Sequence, residues 1–196
     1  MSKTRIFLSS TCYDLKALRE HLREKIEGIG HEVLASEYSS FPVAPDLSTV
    51  ENCKKVVRDH ADLLVLIVGG RRGSFDASGT RSVVNAEYLE AKNKGISCFV
   101  FVDKQVWDLL PMYERNKTAD FSPIVDHPEV FTFVGSLKSE ARWIFPFAKT
   151  EEIISTLQTQ LSTYLRMLVE RGRAGTLTIP QEFSSESARV CLRNSG

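Results

Sequence analysis

The sequence has no net charge. Its 196 residues contain 25 Lys and Arg against 25 Asp and Glu, so the chain has no overall electrostatic field that would draw it to nucleic acid or to an anionic membrane. We therefore expect neither a nucleic-acid nor a membrane partner. A hydrophobic content of 42% is enough for a core, and the length fits one domain of ordinary size with a modest extension.

Paired cysteines and clustered histidines are also missing. The four cysteines and four histidines are scattered, with no Cys-x-x-Cys pair and no spacing that suits zinc. We therefore expect no metal, and the pattern suits a reducing compartment. Cys12 would need a nearby base to act as a nucleophile, and no histidine is obviously placed for that role. We expect it to be a small packing residue.

Long apolar runs are absent as well. The apolar stretches are much too short to cross a bilayer, and the chain opens on a short apolar run rather than on a signal peptide. Together with the unpaired cysteines, these absences favour a cytoplasmic protein.

Several phosphate-binding signatures fail at the third predicted strand. The strand ends in Gly69-Gly70, where a phosphate-accepting receiver domain needs an aspartate. The loop that follows, 69–74, has no Gly-Lys-Ser/Thr ending and does not match Gly-x-Gly-x-x-Gly. The hydroxyl residues at 9–11 could hold a flavin phosphate, but such turns are common. We therefore expect no bound cofactor.

What the sequence does contain is an alternation of strands and helices. Two strands, Asp62–Val68 and Ile96–Val102, are apolar on both faces, which is typical of central strands in a parallel sheet. The other predicted strands are Arg5–Thr11, Glu32–Ala35 and Val130–Val134. We predict an α/β, three-layer, flavodoxin-like fold with a five-stranded, mostly parallel sheet in the order 2-1-3-4-5 and helices on both faces.

Helix signals lie between these strands. We expect Asp14 to cap the first helix, and Ser48 with Glu51 to form a capping box for the second. A stretch at 103–120 is partly helical, and Pro111 is expected to interrupt it. Residues 143–147 form an aromatic patch that we expect to pack on an edge.

Three parts are expected along the chain. Residues 1–147 form the α/β domain. Residues 148–172 form a C-terminal amphipathic helix, starting at Thr150 and ending at Gly172, which packs on the domain or extends from it. Residues 173–196 are polar and are expected to be a linker or a tail.

The helix between the serine cap Ser82 and the glycine stop Gly95 carries a carboxylate in an unusual place. Glu87 falls in the middle of the apolar arc that is formed, at 100° per residue, by Val83, Val84, Tyr88 and Ala91. A carboxylate that faces the protein body loses solvation, which raises its pKa and makes it chemically useful. The alternative is a glutamate at the edge of the arc that reaches water or pairs with an arginine, and the wheel by itself slightly favours that alternative.

The predicted strand order places this helix beside a crevice. The chain reverses between strands one and three, and a crevice opens above their carboxyl ends. The loops there are 9–14, which is rich in hydroxyl groups, and 69–80, which contains Arg71 and Arg72. The helix of Glu87 begins beside them. One crevice therefore gathers hydroxyls, a glycine-rich loop, two arginines and an inward carboxylate.

These residues resemble a known family. Arg5–Thr11, Tyr13–Leu15 with Arg19, Val68–Ser74, and Ser82 with Glu87-Tyr88 are similar to the family called domain of unknown function (DUF) 4062. The resemblance is good over about the first hundred residues and looser beyond. It implies an N-terminal effector or sensor domain of a larger signalling or defence protein. It also implies a TIR-like fold, related to TIR domains and to nucleoside 2-deoxyribosyltransferases.

In both of these related groups a glutamate on the helix after strand three is catalytic, and the resemblance places that role on Glu87, with Ser82 as the preceding serine. The sequence departs from the family at Arg72, Val84 and Asn85, where tyrosine, threonine and glutamate are common. These departures concern substrate contacts more than Glu87.

The resemblance implies an N-glycosidase that cleaves NAD or a related nucleotide, either an NAD hydrolase or a deoxyribosyltransferase-like enzyme. Arg71 or Arg72 would hold a diphosphate, and Ser9, Ser10 or Asp14 would meet ribose hydroxyls, although a plain helix cap is favoured for Asp14. The full set of predicted substrate-binding residues is Ser9, Ser10, Thr11, Tyr13, Gly69, Gly70, Arg71, Arg72 and Ser82. The alternative is a non-catalytic TIR-like module that assembles with itself or with a protein partner, in which Glu87 is structural and the two arginines lie on a solvated loop.

Overall fold

A computed structural model describes residues 3–11, 14–75, 82–141 and 143–173. In these ranges the strands are β1 (Arg5–Ser9), β2 (Glu32–Leu34), β3 (Leu63–Val68), β4 (Ser97–Asp103) and β5 (Ile144–Phe147). The helices are α1 (Lys16–Gly28), α2 (Thr49–His60), α3 (Val83–Lys94), α4 (Lys104–Arg115), α5 (Glu129–Glu140) and α6 (Thr150–Arg173). The chain divides into two compact units, 1–155 and 156–196.

The strands form one parallel sheet in the order β2-β1-β3-β4-β5. The predicted α/β fold class and strand order are therefore confirmed. Every residue of β3 is buried, as expected for a central strand whose two faces are both covered by helices. This burial explains why the sequence of β3 is apolar without alternation.

The predicted fifth strand at Val130–Val134 is wrong, because these residues lie in α5. Their β-branched and aromatic side chains favour a strand locally, but tertiary packing overrides that preference. The spacing of the buried residues is helical, at Val130, Phe131, Val134 and Leu137.

The fifth strand is β5, which comes from the aromatic patch at 143–147. The expectation that this patch packs on an edge is confirmed, since β5 is the last strand of the sheet and pairs with β4. Pro146 is tolerated there because an edge strand can lack one backbone donor. Phe145 packs against Phe101 of β4, with ring centroids 5.4 Å apart.

The helix ends agree with the sequence in some places and differ in others. The capping box of α2 is confirmed, with Ser48 Oγ accepting from the Glu51 amide at 3.3 Å. Asp14 does not cap α1, which begins after Leu15 without a side-chain cap; its side chain instead lines a cleft. Pro111 lies inside α4 and does not interrupt it, because the buried Val106 and Leu110 hold that helix against the core.

Strands β1 and β3 lie side by side, with Ile6 paired to Leu63 and Ser9 paired to Leu66. The loops that follow them therefore open at the same edge of the sheet. In the part of the chain that the structure describes, no helix is long and apolar enough to cross a membrane. The C-terminal helix was predicted to end at Gly172, and α6 runs one residue further, to Arg173. Apart from Arg173, the predicted tail at residues 173–196 lies outside the described residues, and the packing of the C-terminal helix stays a prediction.

Candidate functional site

A cleft of about 840 Å³ opens at the carboxyl ends of β1 and β3. Clefts that bind small molecules commonly have volumes of about 300–1,000 Å³. Its walls come from the end of β1, from α1, α2 and α3, and from the loops after β1, β2, β3 and α4. The charged residues that line it are Asp14, Arg19, Glu37, Arg71, Glu87 and Asp126.

Glu87 lies in the wall of this cleft and is only 5% exposed. It shares the buried face of α3 with Val84, Tyr88 and Ala91, so the predicted inward orientation is confirmed. The hydroxyl of Ser9 donates to Glu87 Oε2 at 2.6 Å, and the thiol of Cys53 also hydrogen-bonds the carboxyl group. Glu87 makes no ion pair with any residue that the structure describes, so the alternative in which it pairs with an arginine is not observed.

Burial raises the pKa of Glu87 to about 7. The loss of hydration is the main cause, because a charged carboxylate is disfavoured where water is excluded. The hydrogen bonds from Ser9 and Cys53 and the positive charge of Arg19 lower this pKa, while the negative charge of Glu37 raises it. Near neutral pH the group is therefore poised between its two protonation states, as functional carboxyl groups often are.

A second polar group in the wall was not predicted from the sequence. Arg19 is 2% exposed and forms a bidentate ion pair with Glu37. Its Nε donates to Oε1 at 2.5 Å and its Nη2 donates to Oε2 at 2.7 Å. Its Nη1 also donates to Ser10 Oγ at 2.6 Å. The available signal was the spacing on α1, since Arg19 falls on the same stripe as Leu15, Leu22 and Ile26, just as Glu87 does on α3.

Thr11 lies where the cleft continues into a smaller compartment. This compartment measures about 350 Å³ and shares Thr11, Arg71 and Val84 with the cleft. The hydroxyl oxygen of Thr11 is buried and has no hydrogen-bond partner among the described residues. An unpaired buried hydroxyl costs free energy unless a ligand or water satisfies it.

The glycine-rich loop after β3, residues 69–74, contributes residues to the walls of both the cleft and the smaller compartment. Gly73 has φ of +74°, and a Cβ there would lie 2.7 Å from Thr11 Cγ2, so glycine is required both by conformation and by space. Gly70 packs against backbone, because an added Cβ would lie 2.0 Å from the Ile124 oxygen.

The two arginines of the loop have different surroundings. Arg71 is exposed, lines both spaces and makes no ion pair with any residue that the structure describes. Arg72 already has partners. Its Nη1 lies 3.5 Å from Glu129 Oε2, and its guanidinium lies over the ring of Phe75, 4.1 Å from the centroid. Its backbone amide donates to Asp126 Oδ1. Of the two, Arg71 is the one available to an anionic ligand.

The structure thus brings most of the predicted site residues together. Ser10, Thr11, Arg71 and Glu87 line the cleft, and Thr11, Gly69, Arg71, Arg72 and Ser82 line the smaller compartment. Ser9 donates a hydrogen bond to Glu87, and Ser82 caps α3 by accepting from the Asn85 amide. Gly70 lies in close contact with the backbone of Ile124. Tyr13 lies outside the described residues. Within those residues, no cluster of three His, Cys, Asp or Glu side chains could hold a metal ion.

Comparisons with known proteins give one family and two solved structures of interest. A family model described as a domain of unknown function, DUF4062, matches residues 5–162. A search of curated proteins found none that matches this sequence. The TIR domains in a structure of the activated Roq1 resistosome directly recognizing the pathogen effector XopQ are 13% identical, with a TM-score of 0.48, and the match covers 81% of this chain and 99% of that one. A conserved protein from Enterococcus faecalis V583 is 16% identical, with a TM-score of 0.43 and the same coverage of both chains, 81% and 99%.

Proposed function

The chain belongs to the DUF4062 family, and we propose that it is a nucleotide N-glycosidase that cleaves NAD or a related nucleotide, with Glu87 as its catalytic carboxylate. The observation that carries this proposal is the position of Glu87. Its carboxyl group is desolvated, oriented by Ser9, and located in the wall of a cleft of ligand size. A buried carboxyl group with no structural ion pair among the described residues costs stability, and function explains that cost.

The chemistry needs little more than such a carboxylate. The bond between C1′ of the ribose and the base nitrogen breaks, and its electron pair leaves with the base. Positive charge develops at C1′, and the ionised Glu87 stabilises it or traps it as an ester. Water then adds to C1′, which breaks the bond to the Glu87 carboxylate where an ester has formed, and loses a proton, so that NAD and water give ADP-ribose, nicotinamide and a proton.

The other polar groups of the cleft have consistent roles. The exposed guanidinium of Arg71 lies where the two spaces meet and binds the phosphates. Ser10 and Thr11 line the same cleft, and their hydroxyls bind the ribose hydroxyls. Ser9 acts through Glu87, whose carboxylate it orients.

The test is nicotinamide release from NAD by the purified chain at high concentration, beside Glu87→Gln and Glu90→Gln. Glu90 is a matched control because it lies on the same helix and pairs with Lys54 and Arg58 instead. We expect release by the wild type and by the Glu90 variant, and none by the Glu87 variant. Absence of release from NAD and from a panel of deoxynucleosides, by folded wild-type protein, would refute the enzymatic proposal.

A non-catalytic assembly module is the second candidate. The observation in its favour is that Leu165 and Val169, one turn apart on α6, are 42% and 53% exposed. Apolar side chains that repeat on one helix face suit contact with another helix. If sedimentation shows an oligomer that Leu165→Asp dissociates, and no nucleotide is cleaved, this candidate replaces the first.

A further inference from the structure

Arg19 brings a full positive charge into the wall of the cleft. Its side chain is 2% exposed, whereas that of its partner Glu37 is 29% exposed. Nε and Nη2 donate to the two carboxylate oxygens, and Nη1 donates to Ser10 Oγ. The planar guanidinium is therefore held on two sides, and its orientation is fixed.

A buried ion pair is an inefficient way to stabilise a fold. Removing two charges from water costs about as much as their attraction returns, so apolar residues of similar volume often serve equally well or better. Leucine or methionine at position 19 would complete the apolar stripe of α1 that contains Leu22 and Ile26, both buried. The charge at this place needs another explanation.

The Arg19–Glu37 ion pair and the carboxylate of Glu87 are hydrogen-bonded to two consecutive residues, Ser10 and Ser9. Ser10 accepts from Arg19 at 2.6 Å, and Ser9, the last residue of β1, donates to Glu87 at 2.6 Å. Ser10, Arg19, Glu37 and Glu87 all line the same cleft. The arginine and its partner thus have a fixed position relative to Glu87.

We propose that the Arg19–Glu37 ion pair is a positioning element that sets the electric field at Glu87. Its two charges act in opposite directions: the guanidinium favours the carboxylate form of Glu87, and the Glu37 carboxylate disfavours it. Glu37 thus limits the effect of Arg19. The titratable or charged groups that bond Glu87 or line the cleft with it are Asp14, Arg19, Glu37, Cys53, Arg71 and Asp126.

The inference concerns the site of the proposed function, but its test does not depend on turnover. The side-chain carboxyl carbons of glutamate are labelled with ¹³C in the full chain, and the signal of Glu87 is assigned by its loss in Glu87→Gln. Its titration midpoint is then measured in wild type, Glu37→Gln, Arg19→Met and Lys16→Gln. Lys16 is the matched control, since it lies on the same helix but pairs with Glu20 and does not line the cleft.

We expect the midpoint to fall by about one pH unit in Glu37→Gln and to rise by about one unit in Arg19→Met, with no change in Lys16→Gln. A pair that only supports the fold would give shifts of the same sign or none, and either result overturns the proposal. If Arg19→Met does not fold, Glu37→Gln decides: a lowered midpoint supports the proposal, and an equal or higher one overturns it. Lack of nucleotide cleavage would count against the proposed function alone.

Discussion

Ser9 and Glu87, 78 residues apart in the chain, are joined by a buried hydrogen bond of 2.6 Å from the serine hydroxyl to Oε2. The bond connects the end of β1 to the inner face of α3 at the edge where the cleft opens. It holds one carboxylate oxygen. The orientation of the group is therefore fixed before a ligand arrives, which is a general requirement for efficient catalysis.

Ser9→Ala removes this bond and is expected to raise the pKa of Glu87 further above about 7. A rise of one unit would lower the ionised fraction at pH 7, and hence the rate, by about fivefold. The measurement is the pH dependence of kcat, whose acidic limb should move to higher pH. An unchanged limb, with the same fold by circular dichroism, would contradict the role of Ser9.

Glu87→Gln is expected to be more stable than the wild type at alkaline pH. The pKa of Glu87 is about 7 in the fold against 4.5 for a solvated glutamate, so the folded state binds more protons between these values, and the wild type loses stability as pH rises through this window. The free energy of unfolding of the wild type falls by about 3 kcal/mol across this window. The Glu87→Gln variant has no such loss, because glutamine does not ionise.

The check is the free energy of unfolding by urea at pH 4.5 and pH 8 for wild type, Glu87→Gln and Glu90→Gln. The Glu90 variant should keep the pH dependence of the wild type, because its Glu87 is intact. A parallel pH dependence in all three proteins would mean that Glu87 is not desolvated.

Arg71→Ala and Arg72→Ala should separate binding from stability. Arg71→Ala is expected to raise the KM for NAD about tenfold, the value of one charge-assisted hydrogen bond, without changing the cleavage of nicotinamide riboside, which has no phosphate. Arg72→Ala should instead lower the free energy of unfolding by about 0.5–1 kcal/mol, because it loses Glu129 and the ring of Phe75. Equal effects of the two variants on KM would argue against a phosphate site at Arg71.

Gly70→Ala should destabilise the fold. An added Cβ would lie 2.0 Å from the backbone oxygen of Ile124, and the loop must move to admit it, at a cost of about 2 kcal/mol. Gly135→Ala is the control, because it lies inside α5 with nothing within 4 Å of its Cβ, and it should stabilise by up to about 1 kcal/mol. Thermal unfolding of both variants is the measurement, and a neutral Gly70→Ala would contradict the close approach.

Helical periodicity singled out Glu87, although the wheel by itself slightly favoured a position at the edge of the apolar arc. Glu87 sits on an apolar arc, and its burial follows from that position. The same reasoning applied to α1 would have found Arg19, which lies between Leu15 and Leu22 on the buried stripe. Spacing within a helix shows which side chains face inward, and in both helices the inward polar residue belongs to the cleft.

Other features required the tertiary structure. Glu37 lies on the loop after β2, and nothing in its local sequence indicates that it forms an ion pair with Arg19. Likewise, Cys53 on α2 reaches Glu87 only because the sheet brings α2 and α3 together. The misassigned strand at Val130–Val134 has the same origin, since strand propensity yields to packing on the core.

The partners of Glu87 come from β1 and α2, both far upstream in the chain. Its loss of hydration is therefore a property of the assembled β1, α2 and α3 rather than of α3 itself. On α3 alone, Glu87 would face water and have the acidity of an ordinary glutamate. Contacts between residues so distant in sequence are slow to form, so the desolvated carboxylate arises only in molecules in which these three elements have come together.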